Sequence, residues 1–266
     1  MTEANQVLLT RREGAVLVLS NNNVAARNAL SPEFYAAVSA ALKSAATDPT
    51  VGAVVLTGEG GHFCAGGDLR QLAKRRELPV QERRAKLEGL HDLIRSVRDF
   101  PKPVIAAVEG AAAGAGLSLA LACDMLVAAK NAVFSVAYVK VGLTPDGGAT
   151  AFLAEFVSRQ VLTELCLTGE RISGERLHAL GPVNRLSEPG QAQADAVALA
   201  AQVATGPDQA MALIKDLCRQ APRNTLEEQL ELEAQYMVRS QESEESREGI
   251  GAFLEKRAAD FTKLRS

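Results

Sequence analysis

Between Val104 and Ala122 the chain carries its longest apolar run, built mostly of alanine and glycine and interrupted by one acid, Glu109. The run approaches the ~20 residues of a membrane span. Alanine and glycine drive insertion weakly, however, and a carboxylate inside the run opposes it. Its order is strand-like residues (Val104 to Val108), a Gly/Ala turn (Gly110 to Gly116), then small helix formers to about Ala122. That order predicts a buried strand, a turn and a small-residue helix.

The rest of the chain fits around such a unit. Val7 to Thr10 and Ala15 to Leu19 read as strands about a turn near Gly14. Ser31-Pro32-Glu33 is a helix start, serine as N-cap and proline at the first helical position, and Asp48-Pro49 ends that helix. Val51 to Leu56 is a short apolar strand and Thr57 to Gly67 a glycine-rich loop. Leu69 to Phe100 is charged and mostly helical, with a break near Pro79. Short strands follow at Asp124 to Ala128, Val133 to Val136 and Val183 to Leu186. Strands alternating with helices indicate α/β. The last third reads as helices over 192–204, 207–219, 226–239 and 243–264. No internal repeat or low-complexity linker separates the parts.

The 266 residues, 47% hydrophobic and 23% charged, suit one large domain or a domain with a helical extension. A net charge of −3 gives no sign of a nucleic-acid binder, so a polyanionic ligand would need local positive contacts. Cys64, Cys123, Cys166 and Cys218 are scattered, form no C-x-x-C and do not cluster with His62, His91 or His178. They read as buried free thiols in a reducing cytoplasm, with no metal site. Met1 to Gln6 is polar, with no visible signal peptide.

Three segments carry chemistry. Phe63-Cys64-Ala65-Gly66-Gly67-Asp68-Leu69 is a turn whose small residues let an anionic oxygen approach backbone amides; Asp68 is placed to cap the following helix. Gly110 to Gly116 is a second such turn. It fits neither a dinucleotide fingerprint nor a Walker loop. Gly116-Leu117-Ser118-Leu119-Ala120 is a near miss to a nucleophile elbow, but His178 has no obvious acid partner and Ser118 reads better as a small buried or pocket residue. Gly142-Leu143-Thr144-Pro145-Asp146-Gly147-Gly148 sets a lone carboxylate at a turn. By itself Asp146 is equally a helix cap. Together the segments supply a carboxylate and an anion-binding pair of amides.

The ordered motifs A-G-G-D-L, P-K-P-V-I-A-A-V-E-G-A-A-A-G-A-G, A-C-D and G-L-T-P-D-G-G resemble the crotonase (enoyl-CoA hydratase/isomerase) superfamily, from Arg27-Asn28-Ala29-Leu30-Ser31 to Phe253-Leu254-Glu255-Lys256-Arg257. The resemblance implies an α/β spiral of ββα units over 1–190 that binds acyl-CoA. It implies a helical region over 191–266 that builds a homotrimer or homohexamer. It implies that the amides of Gly67 and Ala115 form an oxyanion hole for the thioester. Arg27 and its neighbours, Ala29 among them, would lie near the adenosine phosphates. Ala65, Asp68 and Leu69 would border the substrate, with Arg70 and Lys74 as further phosphate candidates. Phe253 and Lys256 would reach CoA on an adjacent subunit. CoA is part of the substrate, and no metal, flavin or nicotinamide is implied.

Hydratases of this superfamily use two glutamates, and their positions correspond here to Ser118 and Tyr138. Neither replaces a carboxylate base at neutral pH. Asp146 falls where isomerase-type members place their working acid. The expectation is therefore an enoyl-CoA double-bond isomerase using one carboxylate. Hydration is one alternative. Another is a 4-chlorobenzoyl-CoA dehalogenase-like reaction with Asp146 as nucleophile, which needs an aromatic residue where Tyr138 stands and a base such as His91. A non-catalytic acyl-CoA-binding protein is the third.

Overall fold

The computed structural model describes residues 6–265. Strands β1 (Leu8–Glu13) and β2 (Val16–Asn21) are followed by helix α1 (Pro32–Thr47), strand β3 (Ala53–Gly58) and helices α2 (Leu69–Arg75) and α3 (Val80–Arg98). The apolar run then divides into β4 (Val104–Val108), β5 (Ala111–Ala113) and α4 (Ala115–Leu121). Next come β6 (Met125–Ala129), β7 (Val133–Ser135), α5 (Ala149–Ala154), α6 (Arg159–Thr168), β8 (Ile172–Ser173), α7 (Gly174–Ala179) and β9 (Arg185–Ser187). Helices α8 (Ala192–Val203), α9 (Asp208–Gln220), α10 (Leu226–Gln241) and α11 (Glu244–Leu254) close the chain.

The main sheet has the order β1-β2-β3-β4-β6-β9. Only β1 pairs antiparallel; the other neighbours are parallel. Parallel strands need cover on both faces, and β4 shows how the residues divide. Val104, Ala106 and Val108 point into the core beneath α1 and α3, while Ile105 and Ala107 pack with Ala196, Leu199 and Ala200 of α8. Helix α8 is thus part of the sheet's packing. Glu109, the acid within the run, accepts the Ala192 N–H at 2.8 Å and so caps α8.

Helix α1 starts as its sequence predicts, with the Ser31 hydroxyl accepting the Phe34 N–H. Phe34, Val38, Leu42 and Ala45 form its buried stripe, the larger side chains contributing roughly 1.5–3 kcal/mol each. At its far end the buried Lys102 ammonium donates to the carbonyls of Ala45 and Asp48.

β5, β7 and β8 form a second, smaller sheet. Helix α9 is pinned to the main body by Lys215, which lies 2.6 Å from Asp124 and donates to the carbonyls of Phe100 (2.6 Å) and Lys102 (2.7 Å). Asp124 also accepts the Val104 N–H at the start of β4. Helices α9 and α10 bury no side chain of their own, and Ile214, Leu230, Met237, Val238, Phe253 and Leu254 are exposed on the helical extension.

Candidate active site

One backbone bridge brings the two glycine turns together. Cys64 pairs in parallel with Ala112 of β5: the Cys64 N–H donates to Ala111 (2.9 Å) and the Ala113 N–H donates to Cys64 (3.0 Å). Glycine is required on both sides of the seam. Gly66 has φ +97°, and a Cβ there would stand 2.7 Å from the Ala113 carbonyl. A Cβ at Gly116 would collide with the Cys64 carbonyl and sit 2.8 Å from its Sγ. Neither obstacle is a flexible side-chain tip, so the backbones must part. Gly116→Ala is expected to cost about 1–3 kcal/mol, as overpacked cores do, read as a lowered denaturant midpoint.

Gly114 (φ 52°, ψ −126°) adopts a conformation reserved for glycine. It delivers Ala115 to the first position of α4, where an N–H has no intrahelical acceptor. Among the described residues, neither the Gly67 nor the Ala115 N–H donates to another protein group. Both residues line one cavity of about 450 Å³, together with Ala65, Asp68, Leu69, Tyr138 and Asp146.

Asp146 does not cap a helix. Gly147 (φ +60°) and Gly148 (φ +84°) delay α5 to Ala149, and no side chain caps it. The Asp146 carboxylate instead accepts the Tyr138 hydroxyl at 2.7 Å. The Ser118 hydroxyl, fully buried, donates to the Asp146 backbone carbonyl at 3.0 Å and lies 3.4 Å from the Tyr138 oxygen. Ser118 therefore supports the loop and pairs with no histidine: His178 contacts the Val183 carbonyl instead. A Cβ on Gly147 would stand 3.0 Å from the Ser118 Cβ and 3.6 Å from Leu90, so the loop lies flat against α4 and α3. Burial raises the Asp146 pKa above the usual carboxylate range, while the Tyr138 hydroxyl and the charges of His91 and Arg75 pull it part-way back. Burial and the neighbouring carboxylate push the Tyr138 phenol far up, so it stays a protonated donor.

The chain matches the family model for enoyl-CoA hydratase/isomerase over residues 11–264. It belongs to the enoyl-CoA hydratase/isomerase family. A 1,2-epoxyphenylacetyl-CoA isomerase of Escherichia coli (strain K12) is 36% identical over 97% of this chain and 98% of that relative. A 2,3-dehydroadipyl-CoA hydratase of the same organism is 34% identical over 96% of this chain and 98% of its own length. A solved enoyl-CoA hydratase from Polaromonas sp. JS666 superimposes with a TM-score of 0.93 at 48% identity, covering 95% of this chain and 98% of that one. The α/β crotonase architecture expected from the motifs is thus shown, and relatives of both reaction names fall at similar identity.

Within this enoyl-CoA hydratase/isomerase fold, Asp68 caps α2 by accepting the N–H groups of Arg70 (2.8 Å) and Gln71 (3.4 Å). Arg27 and Ala29 stand beside the cavity, the Arg27 carbonyl accepting the Ala65 N–H at 3.0 Å, but neither lines it. Phe253, exposed, and Lys256, at φ +54°, lie away from it in this chain. Two features of the site carry no sequence signature. Tyr35 joins the wall from α1, burial raising its phenol to about 12. Leu87 and Leu90 present a helical stripe of α3 to the cavity, whereas His91, the candidate base, lies outside its lining, 3.6 Å from Glu88.

Tyr138→Phe tests the hydroxyl's hold on the carboxylate. A hydrogen bond to a charged group contributes roughly 1.5–3 kcal/mol, so a kcat loss of about 10–100-fold is expected. The hydroxyl favours the ionised carboxylate, so its removal should also move the acidic limb of kcat/KM to higher pH. A kcat loss with an unmoved limb would show that Tyr138 acts elsewhere.

Proposed function

We propose that this member of the family isomerises the double bond of an enoyl-CoA, with Asp146 as the sole acid/base. Asp146 as carboxylate takes a proton from the carbon next to the thioester. The C–H electron pair moves into a dienolate whose charge rests on the thioester oxygen, held by the amides of Gly67 and Ala115. Asp146 then returns the same proton to the far end of the dienolate. The thioester carbonyl re-forms and the double bond has moved into conjugation. Such amide donors contribute about 10²–10³ each in enzymes where one was removed. A base poised above the ordinary carboxylate range suits abstraction from carbon better than an ordinary one.

The observation that carries this reading is the joint hold of Ser118 and Tyr138 on Asp146. Both expected hydratase positions contribute hydroxyls to the aspartate's loop, and neither supplies a second carboxylate to activate water. The apolar faces on α9 to α11 are read as the contacts of a homotrimer or homohexamer.

A paired assay tests the reaction: a 3-enoyl-CoA and a 2-enoyl-CoA are incubated separately and the products weighed. Conversion of the 3-enoyl ester to the 2-enoyl ester without mass change is expected. Addition of water to the 2-enoyl ester as the main product would overturn the reading.

One observation favours a second reading. Tyr138, the aromatic residue that a covalent, hydrolytic use of Asp146 needs, lies against the carboxylate, its hydroxyl donating to it at 2.7 Å. Single turnover in ¹⁸O water decides it, because only a nucleophilic Asp146 acquires the label.

A further inference from the structure

The cavity wall away from the paired amides carries a concentration of positive charge that the proposed isomerisation does not use. Arg75 and Arg76 close α2, Arg83 and Lys86 stand on α3, and Lys140 lies on the turn before Asp146; all five line the cavity. Among the described residues none of the five has an ion-pair or side-chain hydrogen-bond partner. The carboxylates on the same wall are committed elsewhere, Asp68 to the α2 cap and Asp146 to Tyr138. In a chain whose net charge is −3, five unpaired cations around one cavity are a local feature and not a reflection of composition.

Their placement has a direction. On α3, Arg83, Lys86, Leu87 and Leu90 share the stripe that faces the cavity. Leu90 touches the loop of Asp146, so the cations begin one to two helical turns from it, ~6–10 Å along the axis. Between them the wall is leucine. An acyl chain with its first carbons at Asp146 would cross that apolar stretch and end among the cations.

We infer that the acyl group of the substrate carries an anion at its far end, a carboxylate held by Arg83 and Lys86 with Arg75, Arg76 and Lys140 around it. This rests on the reading of the cavity as a CoA-thioester site. CoA also carries anions, its phosphates, but the pantetheine arm separates these from the thioester, whereas Arg75 stands close enough for its charge to act on Asp146 itself. Arginine and lysine at the rim of an apolar slot favour a carboxylate over a methyl end of the same chain through direct charge-assisted hydrogen bonds.

The test uses two CoA thioesters of equal length, one ending in a carboxylate and one in a methyl group, with free CoA as a third ligand. Equilibrium affinity and kcat/KM are measured for the wild-type protein and the Arg83→Met, Lys86→Met double variant. The wild type should favour the carboxylated ester by tenfold or more, and the variant should lose most of that preference. Added salt should reduce the wild-type preference as well. Equal wild-type affinity for the two esters would overturn the inference while leaving isomerisation intact. So would a variant that weakens free CoA and both esters alike, which would assign the cations to the phosphates. Failure of the wild type to bind any CoA ligand would overturn the thioester reading of the cavity and this inference with it.

Discussion

Asp146→Asn should reduce kcat by about 10²–10⁴, the range typical of a lost general acid/base. The substitution is close to isosteric, and the amide oxygen still accepts the Tyr138 hydroxyl, so the loop and the affinity for CoA esters should persist. The stability change distinguishes a working carboxylate from a structural one. Burial raises the Asp146 pKa in the folded state. A raised pKa means that folding favours the protonated form. The carboxyl's contribution is therefore fully present below its unfolded pKa and lost as pH rises through the folded value. At neutral pH the wild type carries that deficit and the asparagine variant does not. The variant should thus melt at or above the wild-type temperature at pH 7, with the gap closing below about pH 4. A variant that is both inactive and less stable at pH 7 would mark Asp146 as a structural residue.

Lys215→Met should give the largest loss of stability. The ammonium is mostly buried and serves the Asp124 carboxylate and the carbonyls of Phe100 and Lys102 at once. Its removal leaves a half-buried carboxylate and two carbonyls without their donor. Breaking a buried pair from one side costs about 3–5 kcal/mol, or roughly 6–20 °C in Tm for a chain of this size. Burial already raises the Asp124 pKa, with Lys215 among the groups that oppose the rise. Without Lys215 the folded pKa climbs further. The variant's deficit should therefore be greatest above that pKa and shrink as pH falls toward the unfolded carboxylate value. Urea unfolding at pH 7 and at pH 4 reads both the loss and its sign. A pH-independent loss would show that packing of the lysine stem, and not the charge, holds α9.

The elements legible in the sequence are those whose signals are local. Ser31-Pro32 opened α1, Pro79 separated α2 from α3, and Val104–Val108 became β4 as predicted. Strand β3 is displaced toward Gly58, because its span is set by pairing with β2 and β4. β5 was hidden inside a Gly/Ala turn, since three alanines become a strand only when β7 lies alongside. The last predicted helix, over 243–264, breaks after Leu254, where Lys256 takes a left-handed conformation without a glycine to announce it. At the site, Gly67, Ala115, Tyr138 and Asp146 could be named from motif order. The roles of the Ser118 and Tyr138 hydroxyls could not, because both depend on a loop folding back across α4. The cavity face of α3 was equally hidden: a charged amphipathic helix does not say which of its cations meet water and which meet a ligand.

The contact between Gly147 and Ser118 restricts how the chemistry of this fold can change by mutation. With the Ser118 side chain against Gly147 and its hydroxyl 3.0 Å from the Asp146 carbonyl, a glutamate at position 118 and the present course of the Asp146 loop compete for the same space. A single Ser118→Glu change would crowd the loop and bring a second negative charge toward Asp146, without creating a working pair of carboxylates. A second acid at position 118 is therefore expected to need a displaced loop as well as the substitution itself.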